Sequence, residues 1–472
     1  MAMTSEEIAE LVQPDRVHSR CYTDPEIFAL EMDRLFRDGW VYVGHASEVP
    51  EPGDYVTTKV GLEPVMLSHG SDGVLRVLLN RCRHRGATVC QQQSGNANFF
   101  RCAYHGWTYR NSGDLAGVPF PNGYGADFRK DDFGLTEVPQ MGSYRGLVFA
   151  SLSPVVEPFD EYLPEPVRRY IDLWFDLAPT GEIDVRHGCL RTDVQANWKH
   201  QLENGSGDGY HPMFAHESWM NLIAGRLGGS VQTRMGSWRD DGPDGGERQR
   251  YLGGPAHVTV DYLEKRRERA QREGLRLPTD TEQSVIAVRP GTDSEGTRAH
   301  EVFPELSEEA VDEYLSAMNE TYGPERAFEV ISAGGSHMSI FPNLQFTPLS
   351  LRVIRPVAVD RTTIEVYIPW YVGAPDELNL QRVRGAEGFF GQGPWGGQDD
   401  YEMFERIQAG MAATLNPWTY IGRGHEREGI DDEGLPHAGI TDEMAIRRIW
   451  SFWRSAMSQP HLTTTETQEI SQ

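Results

Sequence analysis

Two ligand pairs stand close together in the chain, Cys82 with His84 and Cys102 with His105, in the runs Cys-Arg-His-Arg-Gly and Cys-Ala-Tyr-His-Gly-Trp. Two thiolates can hold one iron of a [2Fe–2S] cluster while two imidazoles hold the other. Exchanging two anionic ligands for neutral ones raises the reduction potential well above that of an all-cysteine cluster. Tetrahedral zinc is the other common use of two Cys and two His. The spacing speaks against it, because Cys-X-His leaves a single residue between its ligands and a zinc knuckle usually has two or more. Gly86 and Gly106 follow the histidines closely, so backbone N–H groups can approach bridging sulfides. The pattern predicts an electron entry port. Cys90 is then a spare, read as a small buried apolar residue.

A second constellation lies between residues 197 and 216, in the run Asn-Trp-Lys-His-Gln-Leu-Glu-Asn-Gly-Ser-Gly-Asp-Gly-Tyr-His-Pro-Met-Phe-Ala-His. A non-haem iron that activates dioxygen wants two neutral imidazoles and one carboxylate on one face, with positions left open. His211 and His216 are the candidate imidazoles. Positions five apart point about 140° away from each other on an ideal α-helix, and a lone histidine is more often a satisfied core or surface residue. Pro212 disfavours a regular helix through His211, and a π-type widening between the two histidines would bring them to one face. Asp208, three residues before His211, would accept the outer N–H of that imidazole if helix extends there. The third ligand must come from elsewhere. Residues 393–402, Gly-Pro-Trp-Gly-Gly-Gln-Asp-Asp-Tyr-Glu, bring Asp399 and Asp400 to the start of a helical segment, where a solvated acidic cap explains them equally well.

The elements that must carry these groups follow from periodicity. Ile27, Leu30, Met32, Leu35 and Phe36 recur at largely helical spacing behind an acidic first turn, which predicts an amphipathic helix over 24–38. From Trp40 to about Ser153, short runs such as Tyr55-Val56-Thr57-Thr58 and Leu75-Arg76-Val77-Leu78-Leu79 are punctuated by Gly, Pro, Asn and Asp. This predicts a small all-β domain with both Cys/His pairs on its loops. Beyond Pro154, helical periodicity marks 158–176, 195–222, 307–321 and 400–412, and strand patterning marks 338–357 and 363–371. The stretch 224–300, rich in Gly, Asp and Arg with one charged helical segment, reads as a surface excursion beside a pocket mouth. The last dozen residues read as a frayed tail.

The 472 residues suggest two domains. Against 44 Lys and Arg stand 70 Asp and Glu, and the resulting net charge of -26 opposes binding to nucleic acid or to an anionic membrane. Five cysteines, an odd number spread over a long chain, argue against a disulfide framework and for a reducing cytoplasm. Neither a secretory leader nor a membrane span is read from the sequence.

Taken together, the motifs resemble the large (α) subunit of Rieske-type non-haem iron aromatic-ring-hydroxylating dioxygenases. The resemblance covers most of the chain. It is carried by Cys82-X-His84, Cys102-X2-His105 with Gly106-Trp107, Asn197-Trp198-Lys199, Glu203-Asn204 through Asp208, Tyr210, His211 and His216, and Gln398-Asp399-Asp400. It implies Cys82, His84, Cys102 and His105 as cluster ligands. It implies His211, His216 and Asp400 as ligands of a mononuclear Fe(2+), Asp400 being the second acidic residue of its pair. Asp208 becomes the electron bridge from His211 to a cluster histidine, His105, of a neighbouring subunit. The implied fold class is α+β: an all-β Rieske [2Fe–2S] domain (39–155) inserted beside a helix-grip, START-like catalytic domain (156–460) with an antiparallel sheet. An N-terminal helical segment (1–38) would pack on the catalytic domain, and 461–472 would be a flexible tail. Asn204, His337, Asn343 and Phe390 align roughly with pocket walls. Gly205 and Gly209 depart from the family by replacing bulkier residues.

The resemblance further implies an α3 homotrimer or an α3β3 assembly with a small β subunit. Electrons of NAD(P)H would arrive through a separate reductase, with or without a ferredoxin, since no Gly-rich dinucleotide fingerprint follows a strand here. The expected reaction is cis-dihydroxylation of an arene or aromatic carboxylate by O2. A monooxygenase or O-demethylase on the same architecture is the alternative within enzymes. A cluster-only electron carrier and a zinc-stabilised binding module are the alternatives outside this class. A ring carboxylate would call for a cation in the pocket, with Arg352 and Arg355 as candidates.

Overall fold

The computed structural model describes residues 3–217, 248–263, 267, 306–335, 337–391 and 396–459. The chain forms two compact units, Ala29–Phe159 and Met1–Phe28 with Asp160–Gln459. The first boundary falls within a continuous helical stretch, where the α-helix Pro25–Glu31 runs on as a π-helix, Met32–Arg37. Ile27, Met32, Leu35 and Phe36 of the expected amphipathic face are buried there. The N-terminal segment is not wholly helical. Val12–Gln13 and Arg16–His18 form two strands of a small sheet completed by Trp418–Tyr420.

The Ala29–Phe159 unit is all-β apart from short turns of helix. Its largest sheet is antiparallel, in the order Leu75–Leu79, Glu63–His69, Asp54–Val60, Ser94–Asn96. Val65, Met66 and Leu67 are buried in succession, which requires cover on both faces of their strand. Gln140–Tyr144, Leu147–Ser151 and Val41–His45 make a second sheet, and Leu115–Gly117, Thr108–Arg110 and Phe99–Arg101 a third. Tyr55, Met66, Leu78, Phe100, Tyr109 and Leu115 form the core against which Cys82 and Cys102 are buried.

The other unit is built on a nine-stranded antiparallel sheet. Its order is Cys189–Val194, Arg361–Tyr367, Leu351–Ala358, Leu344–Phe346, His337–Ile340, His257–Asp261, Arg248–Gly253, Pro436–Gly439, Gly429–Ile430. The expected excursion over 224–300 is corrected here, because Arg248–Gly253 and His257–Asp261 are central strands of this sheet. The remainder of that stretch lies outside the described residues, as do 461–472. In the sheet Ser339, Gln345, Arg352, Val366 and Leu190 are successive cross-strand partners and therefore share one face.

Against that face lies the helix Trp198–Gly205. Its N-cap is Asn197, whose side-chain oxygen accepts the Lys199 N–H at 3.2 Å. Gln345 ties sheet to helix by donating from Nε2 to the Gln201 and Leu202 carbonyls at 3.2 and 3.1 Å. The approach is close enough that a Cβ at Gly205 would stand 2.3 Å from the Gln345 amide, and one at Gly209 would stand 2.6 Å from the Ile440 carbonyl. Both glycines therefore serve tight packing. The longer helices of this unit are Glu165–Phe175, Glu308–Ala333, Asp376–Phe390, Gly397–Gly410 and Met444–Ser458. Trp198, Trp450 and Trp453 are fully buried, and truncating one to alanine costs about 3–5 kcal/mol.

Candidate metal centres

The two Cys/His loops are built alike. Cys82 N donates to Ala87 O at 2.8 Å and Gly86 N to Cys82 O at 3.0 Å, and Cys102 N donates to Trp107 O at 2.8 Å and Gly106 N to Cys102 O at 3.0 Å. Gly86 and Gly106, with φ of 78° and 71°, allow both turns. The thiols of Cys82 and Cys102 are buried, whereas His84 and His105 are exposed with ring centroids 4.6 Å apart. His84 also stacks on Trp107 at 5.1 Å. Tyr109 Oη lies 3.2 Å from Cys82 Sγ and accepts the Arg83 N–H at 3.0 Å, a contact that sequence spacing did not show. Two soft thiolates on one side and two imidazoles on the other are the donor set of a Rieske cluster. Cys90 is buried outside this set, its thiol pushed up to about 12 by burial.

The second centre is assembled from distant parts of the chain. His211, His216 and Asp400 bring one ligand atom each within 4.8 Å of the others, and they form such a group by themselves among the described residues. Asp400 Oδ1 is 3.4 Å from His211 Nε2 and 3.3 Å from His216 Nε2. Asp400 and His216 are buried; His211 is partly so. The expected π-widening between the histidines does not occur. His211 caps a single helical turn, Pro212–Ala215, with Pro212 at its first position, and His216 leaves the helix at its other end. Proline is well suited to that first position, so a new helix starts there.

Asp399 does not join the trio. It turns to the far side of the His216 ring, its Oδ2 3.5 Å from Nδ1, and is more exposed than Asp400. Asp208 stands in the same relation to His211, its Oδ2 3.4 Å from Nδ1. Both Nδ1 atoms are buried without a hydrogen-bond partner at ordinary distance. Two inward Nε2 atoms, a shared carboxylate and a carboxylate behind each ring fit a 2-His-1-carboxylate iron site. Asp208 is not on a helix, since Trp198–Gly205 ends before it. Its Oδ1 accepts the N–H groups of Tyr210 and His211 at 2.9 and 3.2 Å, and this turn aims the other oxygen.

Comparison with known proteins agrees with this geometry. Residues 39–138 match the Rieske [2Fe–2S] domain, and residues 182–459 match the ring hydroxylating alpha subunit catalytic domain. The chain belongs to the ring-hydroxylating oxygenase α-subunit family. The toluate 1,2-dioxygenase subunit alpha of Pseudomonas putida is 32% identical over 429 residues, covering 88% of this chain and 84% of that one. The anthranilate 1,2-dioxygenase large subunit of Acinetobacter baylyi is 30% identical over 423 residues, covering 87% and 81%. A solved naphthalene 1,2-dioxygenase from Rhodococcus sp., bound to indole, has a TM-score of 0.72 at 25% identity and covers 95% of each chain. The α subunit described here is thus the terminal component of a Rieske non-haem iron oxygenase, with a [2Fe–2S] cluster and a mononuclear iron as cofactors and with further partner components. Among its described residues no helix is long and apolar enough to cross a membrane.

Charge in this α subunit is arranged around the trio. Burial alone would raise the Asp400 carboxyl, but His216, His211 and Arg352 hold it below its usual range. Burial would lower the His211 imidazole, and Asp208 and Asp400 outweigh it and hold its pKa up. Of the expected pocket residues, Asn204 lies against the trio itself, its Nδ2 3.1 Å from His211 Nε2 and 3.3 Å from Asp400 Oδ1. Phe390 packs edge-to-face on Phe389, whose ring is 5.5 Å from that of His216. His337 opens its strand, and Asn343 is buried between Ile340 and Leu344. Glu203, partly buried beside Asn204 on the Trp198–Gly205 helix, is pushed up to about 7 by burial and accepts from Tyr22 Oη and Trp450 Nε1 at 2.7 Å each.

Proposed function

We propose that this α subunit adds both atoms of O2 to adjacent carbons of a small aromatic substrate, giving a cis-dihydrodiol. The balance takes two electrons and two protons, which NAD(P)H and a proton supply through a separate reductase, with or without a ferredoxin. In this reading Cys82 and Cys102 hold one cluster iron, His84 and His105 the other, and His211, His216 and Asp400 hold the mononuclear iron. The observation that carries it is the trio of two imidazoles and one carboxylate, two of them buried, in a chain that also bears the Cys/His loops. Iron bound there supplies the O2-activating redox chemistry that no side chain has.

The protein's own work is orientation and exclusion of water. Asp208 and Asp399 fix the two imidazoles from behind, and Asn204 orients the Asp400 carboxylate. Phe389 and Phe390 give an aromatic ring apolar surface beside His216. Asp208 is also assigned as the bridge to His105 of the partner subunit, in a trimeric ring with or without small β subunits. The exposure of His105 supports that role, because its edge is open to another chain. Five free cysteines support a reducing cytoplasm as the working compartment. Turnover of an arene under ¹⁸O2 with a generic reductase and ferredoxin tests the reaction. A dihydrodiol carrying both labels is expected, and a product with one label, or a dealkylated one, would replace this reading with monooxygenation.

A further inference from the structure

We propose that Arg352 is a carboxylate clamp, so that the substrate of this α subunit is an aromatic carboxylate held by its acid group. The inference rests on the ring-hydroxylating function above and narrows its substrate. Arg352 faces the layer that carries the iron site: it shares a sheet face with Gln345, which is tied to the Trp198–Gly205 helix, and with Val366, which packs with Phe389, Phe390 and Tyr401. Its guanidinium carbon sits 4.6 Å over the Phe390 ring.

The side chain is almost fully buried, its Nε is unpaired, and it makes no hydrogen bond or salt bridge among the described residues. A buried guanidinium without an anion is expensive to maintain. Asp400 contributes attraction through space, yet its Oδ1 is committed to the two histidines. The other candidate, Arg355, is already satisfied, since its Nε is 3.2 Å from Glu365 Oε2 and Arg191 takes the other oxygen of that carboxylate at 2.8 Å. Arg382 also has buried nitrogens without a partner, but it donates to the Pro369 carbonyl at 2.6 Å against the Tyr371 ring and interacts with Tyr371 and Tyr314, whereas Arg352 interacts with Asp400 of the trio. Arg352 thus keeps its planar fork of donors for a ligand, and such a fork matches a carboxylate in two parallel hydrogen bonds. Phe390 covers one face of the guanidinium.

Equilibrium binding of benzoate and of benzamide, its neutral isostere, to the holoenzyme tests the clamp by calorimetry. The wild type binds benzoate more tightly than benzamide. Arg352→Gln weakens benzoate by about 10–100-fold, the equivalent of one or two hydrogen bonds to a charged group, while benzamide binding and iron content stay unchanged. Arg352→Lys, which keeps the charge and loses the fork, falls between. Equal benzoate affinity in wild type and Arg352→Gln overturns the proposal, as does a parallel loss of benzoate, benzamide and iron, which would make Arg352 a support for Asp400 alone. A wild type that oxidises neutral arenes without preferring benzoate defeats the clamp and spares the function. A wild type that oxidises neither class defeats the function itself.

Discussion

The two candidate metal centres are built in opposite ways. The Cys/His loops take their ligands from one short stretch, 82–105, on paired turns with the same hydrogen bonds, burying the sulfurs and leaving both imidazoles exposed. The histidine–carboxylate centre draws His211 and His216 from either end of one helical turn and Asp400 from a helix that starts at Gly397. Two of its three side chains are buried. The contrast separates two tasks. An electron port must offer a ligand edge to another molecule, and a site that activates oxygen must keep water and stray reductants out.

The largest effect expected from perturbing this contrast is at Asp208, which belongs to neither ligand set. Asp208→Asn keeps the side chain's shape and the turn and removes its charge, so both iron sites stay filled, yet substrate no longer triggers reoxidation of the reduced cluster in rapid mixing. Retained turnover would remove its bridging role. Asp399→Ala is predicted to be milder, weakening mononuclear iron by about 10–100-fold without touching the cluster, as loss of a carboxylate behind a metal-bound imidazole does. Titration with Fe(2+) checks this, and loss of all mononuclear iron would make Asp399 the ligand in place of Asp400. The smallest effect is at Tyr109→Phe. Removing the hydroxyl beside Cys82 Sγ lowers the cluster's reduction potential and leaves iron and sulfide content unchanged, which voltammetry reads directly.

The same contrast explains what sequence alone could show. Cluster ligands closely spaced on turns announce themselves, because their spacing is their geometry. The carboxylate of the other centre did not, since Asp399 and Asp400 are equal as helix-capping acids and only the fold turns one inward and the other behind His216. The π-widening was a wrong local solution to a real constraint: Pro212 starts a helix as readily as it interrupts one. The strands Arg248–Gly253 and His257–Asp261 were missed because their buried residues are partly polar. Gln249 and Arg250 are almost fully buried, and Arg250 is neutralised by Asp261, Asp431 and Glu433, partners far away in sequence or on the next strand. Hydrophobic periodicity is blind to charge that is paired across a sheet. Gly205 and Gly209, which depart from the family by replacing bulkier residues, are the points where the helix and its following loop press on Gln345 and Ile440.

Iron and acid-labile sulfide counted per chain, in the wild type and in Asp400→Ala, test most directly that these are two distinct iron centres. The wild type is expected to hold about three irons and two sulfides, and Asp400→Ala about two irons and two sulfides with an unaltered Rieske spectrum. Zinc as the main metal, or cluster and mononuclear iron lost together in the variant, would contradict it.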